Sequence, residues 1–396
     1  MDARTGLPVV GMVGAGQLAR MTHQAAIALG QSVRLLAASP DDGAALVAPD
    51  VVIGEHTSLA DLEALAKGCD VVTFDHEHVP GEHIRALVAA GHTVYPPADA
   101  LLYAQDKVAM RRRMEELGVA GPRWRELPPD PVAAAEALEE FAAEVGWPVV
   151  LKAVRGGYDG KGVWLVDRAD AAAPVLTSGT AVMVEAAVPI ARELAALVAR
   201  SPFGQGAAWP VAQTVQRDGI CVEVIAPAPG LGERTAEDAE ALALRIAAEL
   251  GVVGVLAVEL FETTGGEVWV NELAMRPHNS GHWTIEGSRT SQFEQHVRAV
   301  LDYPLGATTP TAPVVVMANL LAAGDDVVPA GIDERVHHFM ARWPDVKLHL
   351  YGKGFRPGRK VGHVTALGDD VDEVLARARA ARDYVAFGDP SGDHHE

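Results

Sequence analysis

The chain has 396 residues and a formal net charge of −20, with 33 Lys plus Arg against 53 Asp plus Glu. Such acidity argues against a polyanionic partner, since binding nucleic acid needs a basic footprint, while the length allows two or three domains and a large core. The two cysteines, Cys69 and Cys221, match no metal spacing, no apolar run is long enough for a bilayer and residues 1–6 show no leader pattern, so a soluble cytoplasmic enzyme with no membrane partner is expected.

In chain order, the first third alternates strands at 9–13, 33–37 and 71–74 with helices at 17–29, 59–67 and 81–90. That is the pattern of a parallel, doubly wound α/β sheet. Gly14-Ala15-Gly16-Gln17-Leu18-Ala19 fits a GxGxxA dinucleotide fingerprint, which suggests a dehydrogenase. The fingerprint also needs an acidic residue closing the second strand to hold a ribose. Here that strand ends Leu36-Ala37-Ala38-Ser39-Pro40, and Asp41 falls beyond the proline. The dinucleotide reading fails, and the helix N-terminus after Gly16 is left as a site for a substrate phosphate.

Residues 99–117 read as one long helix, and Pro128-Pro129-Asp130-Pro131 as a linker. A small α+β lid follows, to about residue 190. Within it, the apolar run Val149-Val150-Leu151 leads to Lys152. After Arg155 comes Gly156-Gly157-Tyr158-Asp159-Gly160-Lys161-Gly162, and then the strand Val163-Trp164-Leu165-Val166. A glycine-rich loop between two strands leaves backbone N–H groups bare enough to wrap phosphate oxygens, or is a plain flexible turn. Lysine usage favours the first reading, because only seven of the basic residues are Lys: 67, 107, 152, 161, 347, 353 and 360. A compact point charge in so arginine-biased a chain marks functional positions.

Strands at 193–199, 209–215 and 221–225, a helix at 233–250 and a hairpin over 255–273 read as an antiparallel α+β unit. With Gly265-Gly266 as a two-residue loop, Phe261 meets Val270 and Glu259 meets Glu272. Like charges directly opposite are destabilising. Either a hard cation sits between them, Mg²⁺ if phosphates share it, or both are solvated surface glutamates. The strand runs on into Arg276-Pro277-His278-Asn279-Ser280-Gly281-His282-Trp283. His278 and His282 have the spacing of a helical zinc pair, but Pro277 and Asn279-Ser280-Gly281 oppose a helix, so zinc is rejected. The last stretch has strands at 314–321, 347–350 and 361–367 and a helix at 371–382. It reads as a small terminal domain with four cations, Lys353, Arg356, Arg359 and Lys360, around Pro357-Gly358. The tail, residues 391–396, reads as a disordered end.

Lys152 with its glycine loop, the Glu259 and Asn271-Glu272 pair, and the Arg276-to-Trp283 run together resemble the ATP-grasp family. Within it they resemble the ligases that use ATP and bicarbonate to carboxylate 5-aminoimidazole ribonucleotide in purine synthesis. The stretches 14–21 and 356–363 agree, and the similarity runs from Val9 to about Ala380. The formate-using transformylase of the same family differs, with Asp-Thr in place of Asn279-Ser280.

The resemblance implies a Rossmann-like pre-ATP-grasp domain over 1–118, a two-part ATP-grasp domain over 119–190 and 191–312, and a small C-terminal domain over 313–396. It implies ATP bound by Lys107, Lys152 and the loop Gly157, Tyr158, Asp159, Gly160, Lys161, Gly162 and Val163. Main-chain groups of Glu185, Ala186, Ala187 and Val188 would hold adenine, Glu193 the ribose, with Gln216 and Asn271 nearby. Glu259 and Glu272 would bind Mg²⁺. Gln17, Glu77, Tyr158, Arg276, His278, Asn279, Ser280, Lys353, Arg359 and Lys360 would hold the ribotide, with Arg276, Lys353 and Arg359 as the catalytic cations. Small-molecule substrates, no nucleic acid and a homodimer complete the expectation. Four positions depart from the family pattern: Gln216 stands where His is usual, Asp75 where Glu is common, and Ala15 and Ala19 replace glycines. Another ATP-grasp ligase, or a non-catalytic nucleotide-binding protein, stays open.

Overall fold

The short apolar runs of the first third become β1 (Val9–Val13), β2 (Ser32–Ala37), β3 (Val51–Ile53) and β4 (Val71–Phe74), with helices α1 (Gln17–Ala28), α2 (Leu59–Ala66) and α3 (Gly81–Ala89). The strands pair in parallel in the order β3-β2-β1-β4. The computed structural model describes residues 1–157, 160–322 and 331–388. The tail expected at 391–396 therefore lies outside the described residues, as do Tyr158 and Asp159.

The long helix expected over 99–117 is two helices, α4 (Ala98–Gln105) and α5 (Lys107–Glu116). Asp106 separates them in an extended conformation (φ −133°, ψ 108°), and its carboxylate accepts the Ala109 N–H at 2.9 Å. An aspartate that can cap a new helix outcompetes continuation of the old one. The expected linker at 128–131 enters a helix only at its last residue. Asp130 caps α6 (Pro131–Val145), and Pro131 occupies its first turn, where a missing N–H costs nothing.

The lid consists of β5 (Trp124–Glu126), α6, β6 (Val149–Ala153), β7 (Val163–Val166), α7 (Ala169–Leu176) and β8 (Val182–Ala186). Its antiparallel sheet runs β5-β8-β6-β7. The larger unit contains β9 (Ile190–Arg200), β10 (Gly206–Ala208), β11 (Ala212–Arg217), β12 (Ile220–Ala226), α8 (Glu233–Glu249), β13 (Gly254–Thr263), β14 (Val268–Ala274), α9 (Thr284–Gly287) and α10 (Gln292–Val300). The terminal stretch adds β15 (Val314–Leu321), α11 (Ile332–Arg342), β16 (Lys347–Leu350), β17 (Lys360–Gly368) and α12 (Val371–Phe387). Its strands extend the larger sheet, which among the described residues runs β14-β13-β9-β11-β12-β15-β17-β16, with β10 on β9.

One core cluster joins the first unit to the large sheet, while the lid and the terminal stretch each have their own. Phe74, Ile84 and Leu87 of the first unit cluster with Met110 and Met114 of α5 and with Val258 and Val270 of the large sheet. Glu223 on β12, fully buried, receives two bonds from Arg379 (2.8 and 2.7 Å) and one from Arg382 (3.2 Å), which pins α12 to the sheet. Among the described residues no helix is long and apolar enough to cross a membrane.

Candidate active site

Where β13 meets β14, Glu259 faces Glu272 as the strand alternation predicts, but by a different route. Thr263 N–H donates to Glu267 O at 2.8 Å, and Phe261 pairs with Trp269 instead of Val270. The loop therefore holds Thr264, Gly265 and Gly266, one residue more than expected. A bulge then leaves Asn271 unopposed, because Leu260 pairs with Val270 and Glu259 with Glu272. The bulge restores the offset that the longer loop removed. It also re-aims the strand, so that Asn271 and Glu272 both line one cavity of about 1220 Å³.

Two lysines reach this point from other elements. Lys107, the first residue of α5, is aimed by the break at Asp106 and by its N–H bond to Val154 O (2.9 Å). Its ammonium donates to Glu272 Oε1 at 2.6 Å. Lys152 at the end of β6 donates to Asn271 Oδ1 at 2.9 Å and lies 2.8 Å from Glu185 Oε2. Behind them Arg111, on the inner face of α5, donates to Glu185 Oε1 (2.6 Å) and to the carbonyls of Val270 (2.6 Å) and Asn271 (3.0 Å). The bulge is thus held by a guanidinium, which satisfies carbonyls that the ladder leaves unpaired. Burial pushes the Glu185 carboxyl up, and Lys152 and Arg111 outweigh it, so it stays below the usual range. The expected role of Glu185 concerned its main chain. Its side chain has a second task as the anchor for Lys152.

Negative charge remains in excess around Glu259. Burial, then Glu272 and Glu193, push its carboxyl up to about 7. Among the described residues no three His, Cys, Asp or Glu groups are set for a metal. Two carboxylates with an amide oxygen beside them suit a hard cation whose remaining ligands are phosphate oxygens and water, which is the habit of Mg²⁺.

The opposite wall carries different chemistry. Arg276 Nε donates to Glu77 Oε2 at 2.8 Å, joining the strand exit of β14 to the loop after β4. His278 lies 3.4 Å from Glu259 through Nε2 and 2.9 Å from Ser280 Oγ through Nδ1. Burial, Arg276 and Lys360 push its imidazole down to about 3, so it is neutral. The Asn279 and Asn319 side-chain amides bond reciprocally at 3.0 and 2.7 Å. His282 is fully buried and hydrogen-bonds Gln292, so the two imidazoles do not act as a pair, and zinc stays rejected. Lys353 donates to Gln17 Oε1, which lies in the cavity wall.

The cavity therefore brings together Gln17, Glu77, Lys107, Lys152, Glu185, Glu193 and Gln216 with Glu259, Asn271, Glu272, Arg276 and His278 to Ser280. Gly157, Gly160, Lys161, Val163, Ala186, Val188 and Lys360 complete the predicted lining. Gly162, Ala187, Lys353 and Arg359 stand outside the wall, and Arg359 is exposed, donating to Gly354 O at 3.3 Å. Sequence reasoning missed Asp106, Arg111 and Asn319. Asp106 carried a legible signal as a capping residue just before Lys107. Arg111 carried a weaker one, standing three residues from both Val108 and Met114 on the apolar face of α5.

Residues 7–105 match the ribonucleotide synthetase preATP-grasp domain, 112–293 the ATP-grasp domain, and 315–377 the phosphoribosylaminoimidazole carboxylase C-terminal domain. N5-carboxyaminoimidazole ribonucleotide synthase of Mycobacterium tuberculosis (strain ATCC 25618 / H37Rv) is 60% identical over 386 residues, covering 96% of this chain and 88% of the relative. The chain belongs to the N5-carboxyaminoimidazole ribonucleotide synthase family. A solved member from Thermus thermophilus shares 38% identity at a TM-score of 0.84, over 96% of this chain and 99% of that one. The Aspergillus clavatus member, solved with ADP and 5-aminoimidazole ribonucleotide, shares 28% identity at a TM-score of 0.86, over 96% and 98%.

Two of the departures from the family's sequence pattern now have physical roles. Gln216 hydrogen-bonds the side chain of Glu193, whose carboxyl burial pushes up. Asp75, at the end of β4, accepts the Gly16 N–H at 2.8 Å, and a Cβ on Gly14 would lie 1.7 Å from its Oδ1. Burial pushes this carboxyl up to about 6. The helix N-terminus expected to await a substrate phosphate is thus capped by the chain's own carboxylate, which has first claim on the exposed N–H groups.

Proposed function

We propose that this chain is the ATP- and bicarbonate-dependent ligase that carboxylates the exocyclic amine of 5-aminoimidazole ribonucleotide. The products are 5-(carboxyamino)imidazole ribonucleotide, ADP and phosphate, as a step of purine nucleotide synthesis. The observation that carries this reading is the shared cavity. The lysine and carboxylate cluster suited to a nucleotide triphosphate opens onto the same space as Arg276, His278, Asn279 and Ser280.

Bicarbonate is a poor electrophile, because hydroxide is a poor leaving group. Transfer of the γ-phosphoryl group to a bicarbonate oxygen yields ADP and carboxyphosphate. The amine then forms the new N–C bond as inorganic phosphate departs with the C–O electrons and the amine loses a proton. Lys107 and Lys152 would orient the phosphates, with Gly157 to Val163, Tyr158 and Asp159 included, as the loop that excludes water from the labile intermediate. Glu259 and Glu272, with Asn271, would hold Mg²⁺, which supplies charge neutralisation on the transferring group. Arg276, held by Glu77, and the His278 to Ser280 turn would seat bicarbonate and ribotide, with Lys353, Arg359 and Lys360 as cations for the ribotide phosphate. A homodimer in the cytoplasm belongs to the same reading. Exposed Ile27 and Val47 share one cavity of the first unit, and light scattering at twice 41.7 kDa would support self-association.

The test is ADP release with Mg²⁺, adding ribotide and bicarbonate separately and together. Turnover that needs both supports the assignment. Equal turnover with formate and glycinamide ribonucleotide overturns it.

A further inference from the structure

The loop from His278 to His282 has no regular ladder to hold it, only a short turn over Asn279–Gly281. Asn319 holds its middle through Asn279, and one buried amide holds its two ends. Gln292, the first residue of α10, is 0% exposed. Its Oε1 accepts the His278 N–H at 2.8 Å, and its Nε2 donates to His278 O at 2.7 Å. These two bonds fix the amide's orientation, since a backbone N–H can only donate and a carbonyl only accept. The same Nε2 lies 3.0 Å from His282 Nδ1. As the nitrogen is a donor, Nδ1 accepts, and the proton of the neutral ring sits on Nε2.

The amide is itself immobilised. Ser291 Oγ caps α10 by accepting the Glu294 N–H at 3.1 Å, and Gln292 N–H donates to Thr284 Oγ1 at 2.9 Å. Thr284 Oγ1 in turn donates to Gly281 O at 2.6 Å. Packing gives a second, independent sign of a fitted contact. A Cβ on Gly281 would lie 2.5 Å from Gln292 Oε1, so the loop rests on the amide at a distance only glycine allows. Gln292 therefore grips both ends of the segment that carries His278, Asn279 and Ser280 into the cavity, without lining that cavity itself.

We infer that Gln292 is a positioning residue, which sets the geometry of the 278–282 loop and through it the seating of the bicarbonate and ribotide. The assignment of those ligands rests on the function proposed above; the grip on the loop does not.

Two measurements on Gln292→Met separate the claims. Methionine keeps the volume and removes both polar contacts. Hydrogen exchange, followed by mass spectrometry on the peptide spanning the loop, should speed up by roughly tenfold or more there, with β13 and the lid unaffected. Kinetically, kcat/KM for ribotide should fall by roughly tenfold to a hundredfold while the KM for ATP stays within about twofold. If the variant does not fold, Gln292→Asn, which keeps the amide but is one methylene too short, takes its place in both measurements. Unchanged exchange in the loop overturns the positioning role, whatever the substrate. Faster exchange with an equal rise in both KM values, or with neither changed, overturns its specificity for the ribotide side. A wild-type enzyme that ignores ribotide overturns the proposed function and leaves the exchange result standing.

Discussion

Among single residues, Glu272 has the sharpest predicted effect. Its side chain is 40% exposed and pairs with Lys107, so Glu272→Gln should leave the fold intact. Turnover should fall about a hundredfold, from ~3 kcal/mol of lost neutralisation in the transition state. Near-normal activity at limiting Mg²⁺ would remove the metal from this pair. Glu259 adds a pH signature. Because its carboxyl is pushed up to about 7, Mg²⁺ must displace a proton below that pH. Apparent affinity should therefore fall towards tenfold per unit as pH drops below about 7 and level off above it. Titration calorimetry in two buffers of different ionisation heat would report the released proton. At Arg359 the expectation is set by its place outside the cavity wall. Arg359→Ala should raise the KM for ribotide by roughly tenfold if the 354–359 turn closes on the phosphate, with the KM for ATP unmoved. A ribotide KM that does not change would assign that phosphate to Lys353 and Lys360 alone.

Among elements, the break between α4 and α5 matters most, because it places Lys107. Asp106 caps α5 through Ala109 N (2.9 Å) and pairs with Arg155 at 3.0 Å. Asp106→Ala should cost about 1 kcal/mol of stability from the lost cap. The exposed Arg155 adds little to that figure. The KM for ATP should rise several-fold, as the two helices can then merge and swing the Lys107 ammonium off Glu272. A lower melting temperature with an unchanged ATP KM would show that Lys107 is aimed by β6 instead. This element also marks the limit of what the sequence revealed. Helical periodicity runs through Asp106 without interruption, so the break was legible only in the capping aspartate beside a rare lysine. The β13–β14 hairpin shows the same limit in another form. Alternation correctly placed Glu259 opposite Glu272, while the loop length was one residue short and the bulge at Asn271 unseen, and the two deviations cancel. Period-two patterning reads which face a residue occupies. It does not read bulges, which depend on a partner, here Arg111, more than a hundred residues away in the chain.

For the molecule as a whole, function needs the first unit held against the large sheet, since the cavity wall draws on both. Lys152, the glycine loop and the Glu259–Glu272 pair were legible because phosphate and metal chemistry restricts residue types locally, and the other lining residues were implied by the family resemblance. The tertiary clamps, such as Asn319 on Asn279, were not, because a buried amide has no sequence signature. His296 on α10 is a further clamp between units, beside Arg276 on Glu77. Its Nε2 lies 2.8 Å from Thr73 Oγ1 of β4, and its Nδ1 accepts the Val255 N–H of β13 at 3.2 Å. Protonating Nδ1 would set two N–H groups against each other in a fully buried site. Burial pushes this imidazole down to about 4 from its ordinary 6.5. The folded form thus resists a proton that the unfolded chain accepts, so stability is full above about 6.5 and declines as pH falls towards 4. A shift of that size corresponds to about 3 kcal/mol at the acid end. Other buried histidines contribute slopes of their own, so the measurement is a difference. His296→Asn offers an amide oxygen to Val255 N–H and cannot take up the proton. It should be less stable than the wild type near neutrality, but its melting temperature should fall less steeply between about pH 6.5 and pH 4. Parallel pH profiles for the two proteins would show that His296 does not carry the acid sensitivity of the joint between the units.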